Sequence, residues 1–335
     1  MRLAIDVMSG DFGPRTSVPA CMTALERFPF LALDLVGDPQ AIQAYTSSLY
    51  QHRFRIVAAT NTITQNASIG EALRGAQDSS MRVALEQVSN GAADGAVSAG
   101  NTAALVALSC KLIGCIEGIK RPAICAQLPR RDGCFFLLDC GANLTVTADQ
   151  LHEFAVMGDA LARGVGSVEA PRVALLNVGS EESKGNSVVR GAADKINANT
   201  AICFDGFIEG HQLFDSSVDV IVCDGFVGNV ALKTTEGLAL HLRDRVSMSV
   251  SRGWRRLFTP LTKLLLRKVV NWLNPRRYNG ASLLGLSKVV VKSHGSANVE
   301  AFYAAIDCAI REVNAKLPQQ IELQINLQPS DANKV

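Results

Sequence analysis

One order of residue types recurs four times in the chain: an apolar run, then glycine and asparagine, in two cases running on into an Ala-Leu helix. The stretch Val218 to Lys233 shows it most fully, as Val-Asp-Val-Ile-Val-Cys-Asp-Gly-Phe-Val-Gly-Asn-Val-Ala-Leu-Lys. Its β-branched run ending at Cys223 has the composition of a strand buried on both faces. Asp224-Gly225 stops the strand, and Gly228-Asn229 precedes a helix expected from about Asn229 to Ser251. Asp94 to Leu105, Gly133 to Asn143 and Arg172 to Asn186 repeat the order of strand, glycine and asparagine. Glycine and asparagine singly are ordinary turn residues. Four such strand ends in one chain predict a parallel sheet whose loops gather on one edge, where ligands bind.

The remaining sequence agrees with this. Leu3 to Met8, Leu31 to Val36, Arg55 to Val57 and Leu286 to Lys292 read as further strands. Helices are expected at Thr16 to Arg27, Met81 to Asn90 and Asn298 to Lys316. Alternation of strands and helices predicts an α/β fold. With 48% apolar and 19% charged residues, a disordered chain is excluded. Residues 1–317 are expected to form a single α/β/α catalytic domain with a basic amphipathic helical hairpin at about 240–275. Residues 318–335 are expected to be a polar, frayed tail.

No apolar run reaches the ~18 residues of a spanning helix. Met1-Arg2 leads directly into the first strand, so no leader is expected. The nine cysteines lack metal-type spacing and mostly sit in apolar runs, as Cys125, Cys203 and Cys223 do. They read as buried thiols in a reducing compartment.

Charge is unevenly spread. The segment Arg252 to Arg277 holds eight basic and no acidic residues, so a net charge of +2 leaves −6 for the rest. Trp254, Leu257, Phe258, Leu261, Leu264, Leu265, Val269, Trp272 and Leu273 recur there at helical intervals, with the basic residues between them. An interfacial helix facing an anionic surface and a dimer or core helix with a solvated basic edge both fit.

No Ser-His-Asp motif, P-loop, GxGxxG or HExxH occurs. Asp6, Asp11, Asp139 and Asp224 are scattered strand-end acids, and no metal ligand set is assigned from them. Ser79 and Ser80 read equally as a helix cap and, beside Arg74 and Arg82, as an anion site. The loops supply amides, hydroxyls, glycine N–H groups, Lys184 and His294. That inventory suits phosphate binding and oxyanion stabilisation.

Seven segments taken together resemble the PlsX-type acyl-acyl-carrier-protein:phosphate acyltransferases. They are Ala4 to Pro14, Asp78 to Arg82, Val97 to Asn101, Leu138 to Asn143, Leu176 to Asn186, Cys223 to Lys233 and Lys292 to Ser296. The resemblance covers nearly the whole chain in order. It departs at Ser9, where the family has glycine, and at Gln77, where the family has lysine beside the two hydroxyls.

The resemblance implies an isocitrate/isopropylmalate dehydrogenase-like α/β/α sandwich, shared with phosphotransacetylases, with a protruding helical hairpin. It implies a cytoplasmic homodimer associated with the inner membrane face. Phosphate would attack the thioester of a long-chain acyl carrier protein. The acyl phosphate would then pass to a membrane glycerol-3-phosphate acyltransferase for phospholipid synthesis. No metal, cofactor or nucleic acid is expected to take part.

Lys184 is assigned to phosphate charge or to protonating the departing sulfur. Asn229 and the N–H groups of Gly225 to Gly228 are assigned to the phosphate or the oxyanion, with His294 assisting. Asp6, Ser79, Ser80, Ser98, Gly100, Asn101, Asn143 and Asn177 complete the expected substrate site. Arg252, Arg255, Arg256, Lys263, Arg267 and Lys268 are expected to dock the carrier protein or the membrane. A covalent acyl-cysteine at Cys223 or Cys140 is the rival mechanism. A decarboxylating dehydrogenase of the same fold and a non-catalytic membrane or carrier-protein scaffold are the rival functions.

Overall fold

The computed structural model describes residues 1–75, 77–251 and 278–327. Eleven strands form one sheet in the order β3-β2-β1-β4-β11-β10-β5-β6-β9-β7-β8. They are β1 (Arg2–Asp6), β2 (Ala32–Gly37), β3 (Phe54–Ala58), β4 (Gly95–Ser98), β5 (Ala123–Arg130), β6 (Gly133–Leu138), β7 (Arg172–Asn177), β8 (Cys203–Glu209), β9 (Val220–Val222), β10 (Ala281–Leu284) and β11 (Val289–Lys292).

Side chains alternate across the sheet, as strand geometry requires. In β1, Leu3 and Ile5 join the core on one face while Ala4 joins the core on the other. In β6, Phe135 and Leu137 point to one face, Phe136 and Leu138 to the opposite one.

Helices cover both faces, giving three layers. One face carries α3 (Ile69–Gly75), α4 (Ser80–Ser89), α5 (Thr102–Leu112) and α8 (Gly225–Ser251). The other carries α1 (Pro14–Arg27), α6 (Ala148–Gly164), α7 (Ser187–Ala198), α9 (Val299–Asn314) and α10 (Leu317–Asn326). A short helix, α2 (Pro39–Gln43), closes the connection after β2.

The strands do not all run one way. Three successive antiparallel pairings, β11 with β10, β10 with β5 and β5 with β6, reverse the direction across the middle of the sheet. The bundle β1, β2, β3, β4 and β11 therefore runs opposite to β6, β7, β8 and β9. The expected single edge of loops is replaced by two bundles pointing at each other. The register puts their ends together: Lys292 pairs with Ala281, Ser282 with Cys125, and Cys125 with Leu138. The last residue of β11 thus lies one level from the last residue of β6.

Two other expectations change. The segment from Pro318 does not fray at once, because α10 runs to Asn326. Leu317 and Ile321, one helical turn apart, are buried on α6, and Gln324 donates to Asp159 at 2.9 Å. Helix α8 starts at Gly225, four residues before the expected start, because Asp224 accepts the N–H of Val227 at 2.9 Å and caps it there. Most of the expected basic hairpin, residues 252–277, lies outside the described residues, as do residues 328–335.

Candidate active site

The two sets of strand ends meet over the middle of the sheet, on the face covered by α5 and α8. A cleft of about 1220 Å³ opens there. Its walls are mainly apolar, with Val106, Ile124, Leu128, Phe214, Leu232 and Leu242 among the lining residues. Its polar lining includes Asn143, Asn229, Lys233, Lys292, Ser293 and His294. Pockets that bury a ligand generally combine an apolar wall with a few convergent polar groups.

Each polar group is placed by a different element. Lys292 ends β11 and aligns with Ser98 of β4, which aligns with Asp6 of β1. Burial pulls the Lys292 ammonium down to about 8, and Lys233 adds to the effect; Asp6 and Asp11 oppose it. Asn229 and Lys233 lie four residues apart on α8 and so share one side of it.

His294 sits in the turn after β11, and its main chain is fixed by Asn279, which accepts its N–H at 2.9 Å. The Ser296 backbone N–H donates to Nδ1 of His294 at 3.1 Å. Nδ1 is therefore the acceptor, and a neutral ring carries its proton on Nε2. Burial holds the imidazole below its ordinary value; Glu236 opposes this, and Lys233 and Lys292 reinforce it. At neutral pH the ring is an uncharged Nε2–H donor.

The comparisons with known proteins give the family of the chain. The family model described as "Fatty acid synthesis protein" matches residues 1–320. A phosphate acyltransferase of Pseudomonas syringae pv. tomato is 47% identical over 333 residues, 98% of each chain. One of Shewanella amazonensis is 45% identical over 327 residues, 96% of each chain. The chain belongs to the phosphate acyltransferase family. It is an enzyme, an acyltransferase, and the resemblance read from its motifs holds.

Among solved structures, a phosphotransacetylase from Streptococcus pyogenes superposes with a TM-score of 0.64 at 17% identity over 94% of each chain. A branched-chain phosphotransacylase from Enterococcus faecalis V583 gives 0.55 at 16% identity, over 93% of this chain and 99% of that one. These likenesses bear out the α/β fold class expected from the sequence.

Not every expected site residue of this acyltransferase faces the cleft. Asn143, Asn229 and His294 line it. Asn143 Nδ2 is also bonded to the Pro122 carbonyl at 2.9 Å and the Asp139 carboxylate at 2.9 Å.

Ser79 caps α4 through the Arg82 N–H, and Ser80 N–H bonds the Asn61 carbonyl; both serines are buried. Ser79 thus serves as the helix cap, and Ser80 is the first residue of the helix. Asn101 caps α5 and clamps the preceding loop by donating to the carbonyls of Gln65 at 2.7 Å and Ala67 at 3.1 Å. Ser98 donates to Asp6 at 2.6 Å and accepts from the Gly100 N–H at 3.1 Å, so these three brace one another.

Asn177 donates to the Lys184 carbonyl at 3.2 Å, which folds the loop after β7 on itself. Lys184 is exposed in that loop and is not among the cleft-lining residues.

The glycine donors differ most from expectation. Gly225 N–H is bonded to the Asn143 carbonyl at 2.8 Å and Gly228 N–H to the Asp224 carbonyl at 3.0 Å. Both are spent within the fold. The reason is that α8 begins early and lies close to the end of β6: a Cβ on Gly228 would stand 1.9 Å from the Asp139 carbonyl oxygen. These glycines allow close packing and do not offer an anion nest.

Cys223 and Cys140 are buried, and burial pushes both thiols well above their ordinary range. A protonated thiol is a poor nucleophile, so burial disfavours an acyl-cysteine at either position, although Cys140 is among the residues that line the cleft. Lys233 and Lys292 also line the cleft, outside the expected set of site residues. Both belong to segments that carry the family resemblance, Lys233 at the end of Asn229-Val-Ala-Leu-Lys and Lys292 at the start of Lys-Ser-His-Gly, and that position is their signal in the sequence.

Proposed function

We propose that inorganic phosphate attacks the thioester carbon of a long-chain acyl carrier protein in this cleft, with no covalent enzyme intermediate. Acyl transfer to phosphate is the coarse reaction that family membership carries. The observation that supports the finer reading is the cleft itself, an apolar channel of about 1220 Å³ with lysines, an amide and an N–H-bearing imidazole in its lining. The apolar wall suits a long acyl chain, and the polar groups suit phosphate and the thioester.

A phosphate oxygen forms the new bond to the acyl carbon, and the C–S bond breaks with its electron pair leaving on sulfur. A thiolate with a pKa near ~8.5 departs with little protonation help. The requirement is therefore to hold the anion, aim it, and stabilise the tetrahedral oxyanion. His294 Nε2–H and the Asn229 amide are the oxyanion donors in this reading. Lys184 remains a proposal for protonating the departing sulfur.

The decisive assay supplies acyl-carrier-protein thioester and phosphate and follows phosphate-dependent appearance of free thiol. His294→Ala is expected to lower kcat by about 10²–10³, the typical effect of losing one oxyanion donor. His294→Gln, which keeps an N–H donor, should recover part of it. Wild-type kcat in His294→Ala sinks the oxyanion role.

The same reading takes acyl carrier protein as donor and passes acyl phosphate to a membrane glycerol-3-phosphate acyltransferase, with the enzyme a cytoplasmic homodimer docked peripherally on the membrane. Docking rests on the charge of Arg252, Arg255, Arg256, Lys263, Arg267 and Lys268, all outside the described residues. Among the described residues no helix is long and apolar enough to cross a membrane. Association with anionic liposomes and with carrier protein should weaken as salt rises from ~0.05 to ~0.5 M. Salt-independent binding to both removes the electrostatic docking role.

A further inference from the structure

We propose that Lys292, with Lys233 facing it, is the cationic seat of the attacking phosphate. The inference rests on the phosphate-transfer reading above and assigns the anion to residues outside the expected set.

Lys292 closes β11 in register with Ser98 and Asp6, at the level where the two opposed strand bundles meet. Its ammonium donates one N–H to the Ser293 carbonyl. Among the described residues it makes no ion pair, although Asp6 on β1 and Asp11 in the loop after it are near enough to act on it. A structural lysine would be expected to pair with such a carboxylate. Asp6 instead has one oxygen bonded to Ser98 and the other without a hydrogen-bond partner among the described residues.

Lys233 comes from α8, and its own ion pair with Glu236 is loose, at 3.5 Å with Lys233 60% exposed. Two ammonium groups thus line one cleft near enough to act on each other, without a close carboxylate for Lys292. Like charges in a partly desolvated site are costly unless an anion joins them. A dianion bound between them would remove that repulsion. His294 contributes an uncharged donor beside them, and the thioester carbon would then lie within reach of both phosphate and imidazole. The acids facing this cluster are Asp6, Asp11 and Glu236, and the bases are Lys233, Lys292 and His294.

The pH consequence has a definite sign. Lys292 carries its charge below about 8 and loses it above. Phosphate binding should therefore weaken as pH rises above 8, where inorganic phosphate is already mostly the dianion and only the lysine charge is being lost.

The test uses the full chain, with two readouts: KM for phosphate in the thiol-release assay, and thermal stabilisation by inorganic phosphate alone. Lys292→Met should raise KM for phosphate at least tenfold and remove most of the phosphate stabilisation, with KM for the acyl donor nearly unchanged. Lys292→Arg should recover phosphate affinity and hold it flat above pH 8, where inorganic phosphate is already mostly the dianion. Unchanged phosphate KM and thermal shift in Lys292→Met overturn the proposal. So does a raised phosphate KM in Lys184→Ala with none in Lys292→Met.

Should Lys292→Met fail to fold, the Arg variant decides: a pH profile identical to wild type overturns the proposal, and a flattened one supports it. A wild-type enzyme that is stabilised by phosphate through Lys292 but releases no thiol supports the anion seat and refutes the reaction. Absence of any phosphate stabilisation in the wild type overturns the seat.

Discussion

Gly228→Ala should prevent the protein from folding, although alanine is the better helix former. In an exposed helix interior this exchange stabilises by about 1 kcal/mol. Here the added Cβ would lie 1.9 Å from the Asp139 carbonyl oxygen and 2.8 Å from the Cys223 sulfur. The first obstacle is backbone and cannot rotate aside, so α8 would have to move off the sheet. The cost should exceed the ~1–3 kcal/mol of ordinary overpacking. Gly237 lies in the same helix with nothing within 4 Å of its would-be Cβ. Gly237→Ala should raise stability, by up to about 1 kcal/mol. Yield of folded protein for Gly228→Ala, and urea or thermal unfolding of whichever variants fold, read the comparison. Effects of the same sign would show that α8 does not press on the end of β6 as described.

Asp139→Ala should be of similar severity for an electrostatic reason. Asp139 is fully buried, and five N–H groups converge on its carboxylate. Oδ1 accepts from the backbone of Ile124, Gly141 and Ala142, each at 3.0 Å. Oδ2 accepts from Asn143 N at 2.6 Å and Nδ2 at 2.9 Å. Burial raises the carboxyl above its ordinary value, and these donors pull against it. One side chain thus joins the start of β5, the end of β6 and the loop that receives α8.

Alanine would leave those donors without an acceptor, at about 1–3 kcal/mol for each that water cannot reach. The sum rivals the ~5–15 kcal/mol stability of a typical domain. Asn, which keeps one acceptor oxygen but sets an NH₂ against donors, should fall between. The expected order of unfolding midpoints is wild type, then Asp139→Asn, then Asp139→Ala. An alanine variant as stable as wild type would show that water or a shifted loop satisfies these groups.

Both positions lie in stretches that the sequence marks plainly, yet their roles were not readable there. Gly228 looks like a turn glycine, since Gly-Asn before an apolar run is a common helix-start signal. Its meaning as a contact point depends on how near α8 lies to β6. Asn101 and Asn143 look alike as strand-end amides. Asn101 caps α5 and clamps the preceding loop, while Asn143 completes the Asp139 network and lines the cleft.

The hairpin joining β5 to β6 had a visible signal, Asp132-Gly133 between two apolar runs, with Gly133 at φ 106. It was the clue that part of the sheet is antiparallel. As a strand residue Lys292 reads as a solvated end, a lysine after Val-Val-Val; only its place at the head of Lys-Ser-His-Gly sets it apart.

What the sequence by itself determined was the repertoire: α/β elements, the polar strand ends, the family, and His294 and Asn229 among the residues that line the cleft. Side-chain period and turn chemistry are local, so they survive in a one-dimensional reading. Only the tertiary structure decided which polar ends meet. That depends on the antiparallel pairings of β11, β10, β5 and β6, whose partners are distant in the chain and whose register no single segment encodes. Those pairings turn one expected edge into two opposed bundles. They set Lys292 and His294 beside the cleft wall formed by α8, and they leave Lys184 outside the cleft lining.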